Sequence, residues 1–388
     1  MRVLMLTHNM AGLGGSYQRA WSIARGLSHW GIDVTLLAGR ARPGLGLIQE
    51  NRSGVNVVQV PDLFPWRLRH GGLSPMDMAY RVQFARSRQH DLVHGFDHRP
   101  AVSVPALAAR RQWGIPFLAD WADLWGRRGI ADERAGLQGR LVSWLDVATE
   151  ASVHEAADGA TVISTFLERQ MRELGMAPER IHRLPVGSNA DLIRPQLVDE
   201  MRVRYGIPGE SMVLASGGFA PYDRQLLLET MKHLRALEPT ALLLVVGGES
   251  RAVVRAAKKA GLAEAVRSFG VVAYEELGSL LACGDVMILP LGNRPLNAAR
   301  FPNRFGDYLA AGRPIATNPT GDVGEVVKHE GVGIVAPDEP ALFAEAIFDL
   351  LRDRPRRQRQ GRRARELAET RYSWTALAEP LTSFVNGL

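Results

Sequence analysis

A chain of 388 residues with a 46% hydrophobic fraction holds enough apolar material for two α/β cores, which excludes a disordered chain. Its net charge of +6 arises from 47 basic residues, only four of them lysine (Lys232, Lys258, Lys259 and Lys328), and the single cysteine, Cys283, excludes a disulfide framework or a cysteine metal site. The longest apolar runs, such as Ala241 to Val246 and Val286 to Leu291, fall far short of the roughly 18 residues a membrane span needs, and Met1 to Met10 reads as a buried strand rather than a signal peptide, so the expected location is the cytoplasm.

In chain order, Val3 to Thr7 is a β-rich run, Gly12, Gly14 and Gly15 form a glycine loop, Tyr17 to Leu27 is amphipathic and Asp33 to Ala38 is a second strand. Strand, glycine loop, helix and strand make a βαβ unit with a parallel sheet. The pattern continues through Val55 to Val60, Leu92 to His94, Pro116 to Ala119 and Ala160 to Ile163, which describes an open doubly wound domain. The loop lies where backbone NH groups and the helix dipole favour an anion. A dinucleotide fingerprint is absent, because its third glycine position is Tyr17 and the second strand ends in Gly39 and Arg40 rather than an acid, so a nicotinamide or flavin dehydrogenase is disfavoured. Gly14 and Gly15 then either let a phosphate or sugar approach the backbone or serve a tight turn. The first 195 residues carry 23 Arg against 18 acids, a net +5 that suits an anionic partner or membrane surface, or simply a solvated basic face.

The stretch LPVGSNADLIRP, Leu184 to Pro195, marks a boundary, and the rhythm restarts near position 196. Strands are expected at Met212 to Ser216, Ala241 to Val246, Val266 to Gly270 and Val286 to Leu289, with helices at Gln225 to Ala236, Arg251 to Ala260 and Tyr274 to Ala282. Arg352 to Thr370 reads as a surface helix, and its arginines are accompanied by acids and not interleaved with aromatics, which argues against nucleic acid. The expected division is 1–190, 191–370 and a C-terminal helix, 371–388, packing back on the first domain.

The richest segment is Arg300 to Glu325, RFPNRFGDYLAAGRPIATNPTGDVGE. Phe301-Pro302 should precede a helix with Asn303 as its cap and Arg304 in its first turn. A cation there opposes the helix dipole, which makes sense if an anion binds at the same place. Asp307 follows one turn later, able to accept hydrogen bonds from vicinal hydroxyls; the alternative is an i, i+3 surface pair with Arg304.

These blocks, together with SFGVVAYEELGSLLACGDVMILPL from Ser268 to Leu291, resemble the family 4 retaining glycosyltransferases over nearly the whole chain. The resemblance implies a GT-B fold, two Rossmann-like doubly wound α/β domains facing each other across a cleft. It implies transfer of a sugar from a nucleotide-diphosphate sugar to a hydroxyl acceptor, in a glycan, a lipid-linked intermediate or a small metabolite, with no cofactor. Gly14 and Gly15 would face the donor, Asp307 would hold the ribose hydroxyls and Arg224 would contact the diphosphate, with Gly218, Arg300, Asn303 and Glu325 completing the donor set. The family's two acids separated by seven residues fall here on Ala299 and Asp307, so the first carboxylate is absent, and Gly218 stands where the family has an arginine. Arg300 and Arg304 could restore that charge.

With such chemistry, cations aimed at the leaving phosphate lower the barrier, and Arg224 and Arg304 are the expected choices. Asp120 and Asp123, in ADWADLW, either orient and weakly activate the acceptor hydroxyl or cap a helix. His94 and His98, in HGFDH, are acceptor-side candidates or structural histidines. No ligand spacing for a metal is visible. A non-catalytic nucleotide-sugar binder, favoured by Ala299, and a nucleotide-sugar epimerase are the alternative readings, and peripheral contact with an anionic inner membrane face is compatible with the basic first domain.

Overall fold

Parallel strands are buried on both faces and therefore read as unbroken apolar runs such as Leu242 to Val246, LLLVV, all five of which are buried. The computed structural model describes residues 1–134, 136–209, 212–216, 221–248 and 250–388. It divides into two units. The first comprises Met1–Val186, Ala299–Phe301 and Trp374–Leu388, and the second Gly187–Ala298 and Pro302–Ser373.

The first unit holds β1 (Arg2–Met10), β2 (Asp33–Gly39), β3 (Ile48–Arg52), β4 (Val55–Val60), β5 (Leu92–Phe96), β6 (Phe117–Trp121), β7 (Gly159–Val162) and β8 (Ile181–Arg183). They lie in the order β3-β4-β2-β1-β5-β6-β7-β8, parallel throughout except for β3, which pairs antiparallel with β4. The direction of winding reverses between β1 and β5, and in such sheets ligands bind outside the carboxyl ends at that reversal. Leu4, Leu6, Val58, Val93 and Phe117 form the core against the helix Pro100–Trp113.

The last helix, Trp374–Asn386, belongs to this unit. It lies against the helix Gly15–His29, where a Cβ on Gly26 would meet Ala378, and Trp30 Nε1 donates to Thr375 O at 2.9 Å.

The second unit holds β9 (Val213–Ser216), β10 (Leu242–Val246), β11 (Val266–Gly270), β12 (Val286–Leu289), β13 (Ile315–Thr317) and β14 (Gly333–Val335). Their order is β11-β10-β9-β12-β13-β14, all parallel, with the reversal between β9 and β12. Leu214, Leu243, Val286, Ile288 and Phe343 lead its core.

Two expectations shift. The helix foreseen at Arg352 to Thr370 begins at Arg354, because the Asp353 side chain accepts from Arg356 N at 2.9 Å, caps the turn and separates it from the preceding helix Pro340–Arg352. The strand expected to stop at Ala119 continues to Trp121, which places Asp120 inside the sheet. Among the described residues no helix is long and apolar enough to cross a membrane.

Candidate functional site

In the first unit, the glycine loop joins β1 to the helix Gly15–His29, and Gly14 is the helix N-cap at φ 90°. No L side chain fits there easily, and a Cβ would collide with Asn9 Oδ1, which accepts from Tyr17 N at 3.3 Å. Gly14 thus serves a tight turn, and the Asn9 side chain covers the Tyr17 NH in the first turn of the helix.

Across the reversal, β5 ends in Phe96 and is followed by Asp97, a non-glycine residue at φ 90°. Its carboxylate lies 3.0 Å from His98 Nδ1 and 3.4 Å from His8 Nδ1. Burial opposes the charged form, but His8, His98 and Arg99 outweigh it and hold Asp97 well below the usual carboxylate range. Burial likewise works against a charged His98, yet hydrogen bonds to Asp146 and Asp97 raise it to about 9, so the ring is a cation at neutral pH. Asp146 also accepts from Arg99 at 2.6 Å and Arg134 at 2.5 Å. His98 is thus one cation in a buried charge network, and neither of its nitrogens is left for an acceptor.

His94 and Asp120 are similarly committed. Asp120 is held bidentately by Arg19, at 2.8 and 2.9 Å, and accepts from the Thr161 hydroxyl at 2.6 Å. Thr161 in turn accepts from His94 Nε2 at 3.0 Å, and burial lowers His94 to about 4, so its ring is neutral. Asp120 and His94 therefore secure the packing of β5, β6 and β7.

Asp123 is different. Glu150 accepts from Trp121 Nε1, Trp125 N and Gly126 N at 2.7 to 3.0 Å and so fixes the loop after β6 around it. Asp123 lines a small cavity with Ser16, Asp97, His98 and Trp125. Among the described residues no hydrogen-bond donor engages its carboxyl, and burial raises it to about 6, against the charge of Arg300. An acid with that value is ionised at neutral pH yet basic enough to draw on a hydroxyl proton. Arg300, expected in the donor set, lies in this unit together with Ala299, whose carbonyl accepts from Ser164 Oγ at 2.8 Å.

In the second unit, the helix Asn303–Ala310 starts at the carboxyl side of the sheet. Asn303 is not its cap. Pro302, whose ring fixes φ at −62°, takes the N-cap position with no side-chain hydrogen bond, and Asn303 is the exposed first helical residue. No side chain caps this helix start, and within it Phe305 N donates to Pro302 O at 2.9 Å. Gly306 lets this helix press on the entry segment, since a Cβ there would collide with Gly187 O.

Asp307 follows on the inner face. Its Oδ1 accepts from the Tyr274 hydroxyl at 2.5 Å, and that hydroxyl accepts from Asn189 Nδ2 at 2.9 Å. Burial raises Asp307 to about 6, against the Tyr274 hydrogen bond and the charge of Arg304. Among the described residues no second donor holds Asp307, so its other oxygen can accept a ligand hydroxyl while Tyr274 fixes the first. The pair expected between Arg304 and Asp307 is thus an electrostatic coupling beside a Tyr-Asp bond.

Arg224 is half-buried in the first turn of the helix Pro221–Leu237. Its neighbour Asp223 accepts from Asn297 Nδ2 at 2.9 Å and Gly292 N at 3.3 Å, tying this helix to the loop after β12 across the reversal. Gly218 lies outside the described residues. Glu325 is exposed on the helix Gly321–Glu330, and its carboxylate meets His329 Nε2 at 3.0 Å. Among the described residues no group of three His, Cys, Asp or Glu side chains is placed to hold a metal ion.

The structure adds residues that sequence reasoning passed over: Arg19, Asp97, Asp146, Asp223 and Tyr274. Only Asp97, inside the HGFDH motif, carried a local signal.

Residues 14–187 match a family model described as a glycosyl transferase 4-like domain, and residues 210–353 match one described as glycosyl transferases group 1. The chain is 26% identical to a GDP-mannose-dependent alpha-(1-6)-phosphatidylinositol monomannoside mannosyltransferase of Mycobacterium tuberculosis, over 67% of this chain and 70% of that one. It is 24% identical to the D-inositol 3-phosphate glycosyltransferase of Corynebacterium diphtheriae, over 99% and 94%. Among solved structures, sucrose-phosphate synthase from Thermosynechococcus elongatus superposes with a TM-score of 0.78 at 18% identity, over 100% of this chain and 98% of that one. HepE of Anabaena, solved with UDP and glucose, superposes with a TM-score of 0.74 at 17% identity, over the whole of both chains.

Proposed function

Because the chain belongs to the group 1 glycosyltransferases and is an enzyme of that family, we propose that it transfers a sugar from a nucleotide-diphosphate sugar to a hydroxyl acceptor with retention at C1. The observation that carries the donor class is Asp307. Its carboxylate has one oxygen held by the Tyr274 hydroxyl, itself held by Asn189, and the other open, one turn behind the uncapped start of the helix Asn303–Ala310. A carboxylate so placed suits the vicinal hydroxyls of a ribose, and the helix start beside Arg304 suits the diphosphate. HepE was solved with UDP-glucose, and the mannosyltransferase relative is named for GDP-mannose, which supports the same donor class.

Breaking the bond between C1 and the diphosphate oxygen leaves positive charge on the sugar ring and negative charge on the departing phosphate. Arg304, Arg224 and the helix NH groups are the cations and dipoles that stabilise that negative charge. The acceptor oxygen forms its bond to C1 on the face the diphosphate leaves, and its proton passes to the departing diphosphate oxygen. Asp123 orients the acceptor hydroxyl before transfer. Ala299 offers no carboxylate to the sugar, so sugar choice rests on other groups than in relatives with two acids. The reaction needs no cofactor and no metal.

The test is to incubate the protein with UDP-, GDP-, ADP- and dTDP-sugars and polar acceptors in the presence of a chelator, and to follow nucleotide diphosphate and the anomeric coupling of the product by NMR. Nucleotide diphosphate release with the donor's own anomeric configuration is expected. Inverted product refutes retention, and loss of turnover in the chelator refutes a metal-free reaction.

A further inference from the structure

The first unit carries, apart from the site, a set of exposed apolar side chains that a water-facing surface does not need. β2, β4 and β6 are parallel within one sheet, so the segments that follow them leave from the same end, the end that also carries Asp123. After β2 come Leu45, 65% exposed, and Leu47; after β4 come Leu63, Phe64, Trp66 and Leu68. The two segments are joined edge to edge, because Gly44 and Asp62 exchange backbone hydrogen bonds of 2.9 and 3.0 Å. After β6, the helix Gly136–Glu155 presents Leu137, Leu141 and Trp144, which are 85%, 68% and 67% exposed. Their spacing of four and three residues puts them on one stripe. The opposite face of that helix is spent on Asp146, Glu150 and His154, all buried.

Charge accompanies the apolar residues. Arg42, Arg67, Arg127, Arg128 and Arg140 are exposed on these same segments. Among their described residues the exposed acids are Asp132, Glu133 and, at the last position of the helix, Glu155, fourteen residues beyond Leu141, since Asp62 is buried against Ser74 and Arg69 and Asp146 is buried against His98. Leucine, phenylalanine and tryptophan interspersed with arginine fit a bilayer interface, where the rings and aliphatic chains enter the headgroup boundary and the guanidinium groups meet lipid phosphate. A second copy of the chain fits poorly, because a two-fold contact would set these five arginines against the same five.

We propose that this rim, Leu45 and Leu47, Leu63 to Leu68 and Leu137 to Trp144, docks the first unit on an anionic phospholipid surface. The docking is independent of sugar transfer and is measured without donor or acceptor.

The 388-residue chain is spun with vesicles of phosphatidylcholine alone and of phosphatidylcholine with about one third phosphatidylglycerol, at low and high salt; each basic residue near such a surface multiplies affinity several-fold. At least about tenfold tighter binding to the anionic vesicles is expected, weakened by salt. The pair Leu141→Ser and Trp144→Ser should lose binding to them, as should Arg127→Glu with Arg140→Glu, while the melting temperature and the affinity for nucleotide diphosphate stay unchanged. Equal binding to both vesicle types, no binding to either, or variants that bind like the parent overturns the proposal. So does a dimer in sedimentation equilibrium that the Leu141 and Trp144 substitutions dissociate. Failure of nucleotide binding or turnover with vesicle binding intact would instead refute the function proposed above.

Discussion

The two units share a winding order yet finish their carboxyl ends in opposite ways. In the first, the residues after β5 and β6 are locked by buried full charges: Asp97, His98, Arg99, Arg134 and Asp146 in one network, Arg19 and Asp120 in another. In the second, the corresponding end is held by neutral or singly charged contacts, Tyr274 on Asp307, Asn189 on Tyr274 and Asn297 on Asp223. The first end is built to be rigid and keeps one carboxyl, Asp123, outside its pairings. The second carries Arg224 and Arg304 in the first turns of two helices, where the proposed donor would bring its own negative charge. Two sheets of one winding order can thus compensate the charges at their carboxyl ends differently, so the fold alone does not decide what each end does.

Removing a partner from the first network should have the largest effect. Asp146→Ala leaves His98, Arg99 and Arg134 without their shared carboxylate, and breaking a buried ion pair costs about 3–5 kcal/mol. Chemical denaturation should show a loss of that order. A loss under 1 kcal/mol would mean that the network is not what holds this end. The second end should respond in binding instead of stability. Asp307→Ala removes a hydrogen bond between a charged acceptor and a hydroxyl, worth about 1.5–3 kcal/mol, so calorimetry should show nucleotide-diphosphate affinity falling roughly ten- to a hundredfold. Affinity for ribo- and deoxyribonucleotides should converge in that variant; if the parent already binds both equally, Asp307 does not read the ribose.

How much of this contrast was legible in the sequence depends on the range of the interaction. The strand Val286–Leu289 and the helix Tyr274–Ala282 fall where apolar runs and helical spacing place them, because burial on a sheet is a local pattern. Asp307 was singled out from its spacing behind Phe301-Pro302. Tyr274 was not, since its partner lies 33 residues away and nothing around Tyr274 announces a buried phenol. Asp146 sits between Leu145 and Val147 on a helix that looks amphipathic, and only the arrival of His98, 48 residues distant, explains a buried acid there. Asn303 was misread because an Asn after a Pro looks like a cap, whereas the proline itself fills that position with its fixed φ. His94 and His98 were noticed for their chemistry, and each turned out to serve its neighbours.

Acidity offers a smaller and sharper separation of the two ends. His98 is raised to about 9, so its contribution to stability is complete below the ordinary histidine value near 6.5 and is lost as pH rises through about 9. His98→Gln should abolish that alkaline decline. Asp123 and Asp307 are raised to about 6, so their ionised forms cost stability above that pH, and their capacity to accept a proton or hydrogen bonds fades as pH falls through it. At saturating donor, the acid limb of kcat near pH 6 should vanish in Asp123→Asn; in Asp307→Asn the limb that vanishes should be that of donor affinity. The intact nucleotide sugar must serve as ligand, because a free terminal phosphate itself titrates near 6. An acid limb that survives both substitutions would show that neither carboxyl governs it.

The smallest expected effect tests the edge of the second end. Glu325 was expected among the donor contacts, but its side chain is exposed and its carboxylate meets His329 one turn away. A solvent-facing i, i+4 pair contributes little to stability, so Glu325→Ala should leave the melting temperature unchanged. Its effect on donor affinity is the informative number. Within twofold of the parent, at an ionic strength where the parent binds donor well, Glu325 is a surface residue and the cradle ends at Asp307. A tenfold loss would mean that the helix Gly321–Glu330 turns this face to the sugar when donor is present, and that the donor cradle reaches beyond the helix Asn303–Ala310.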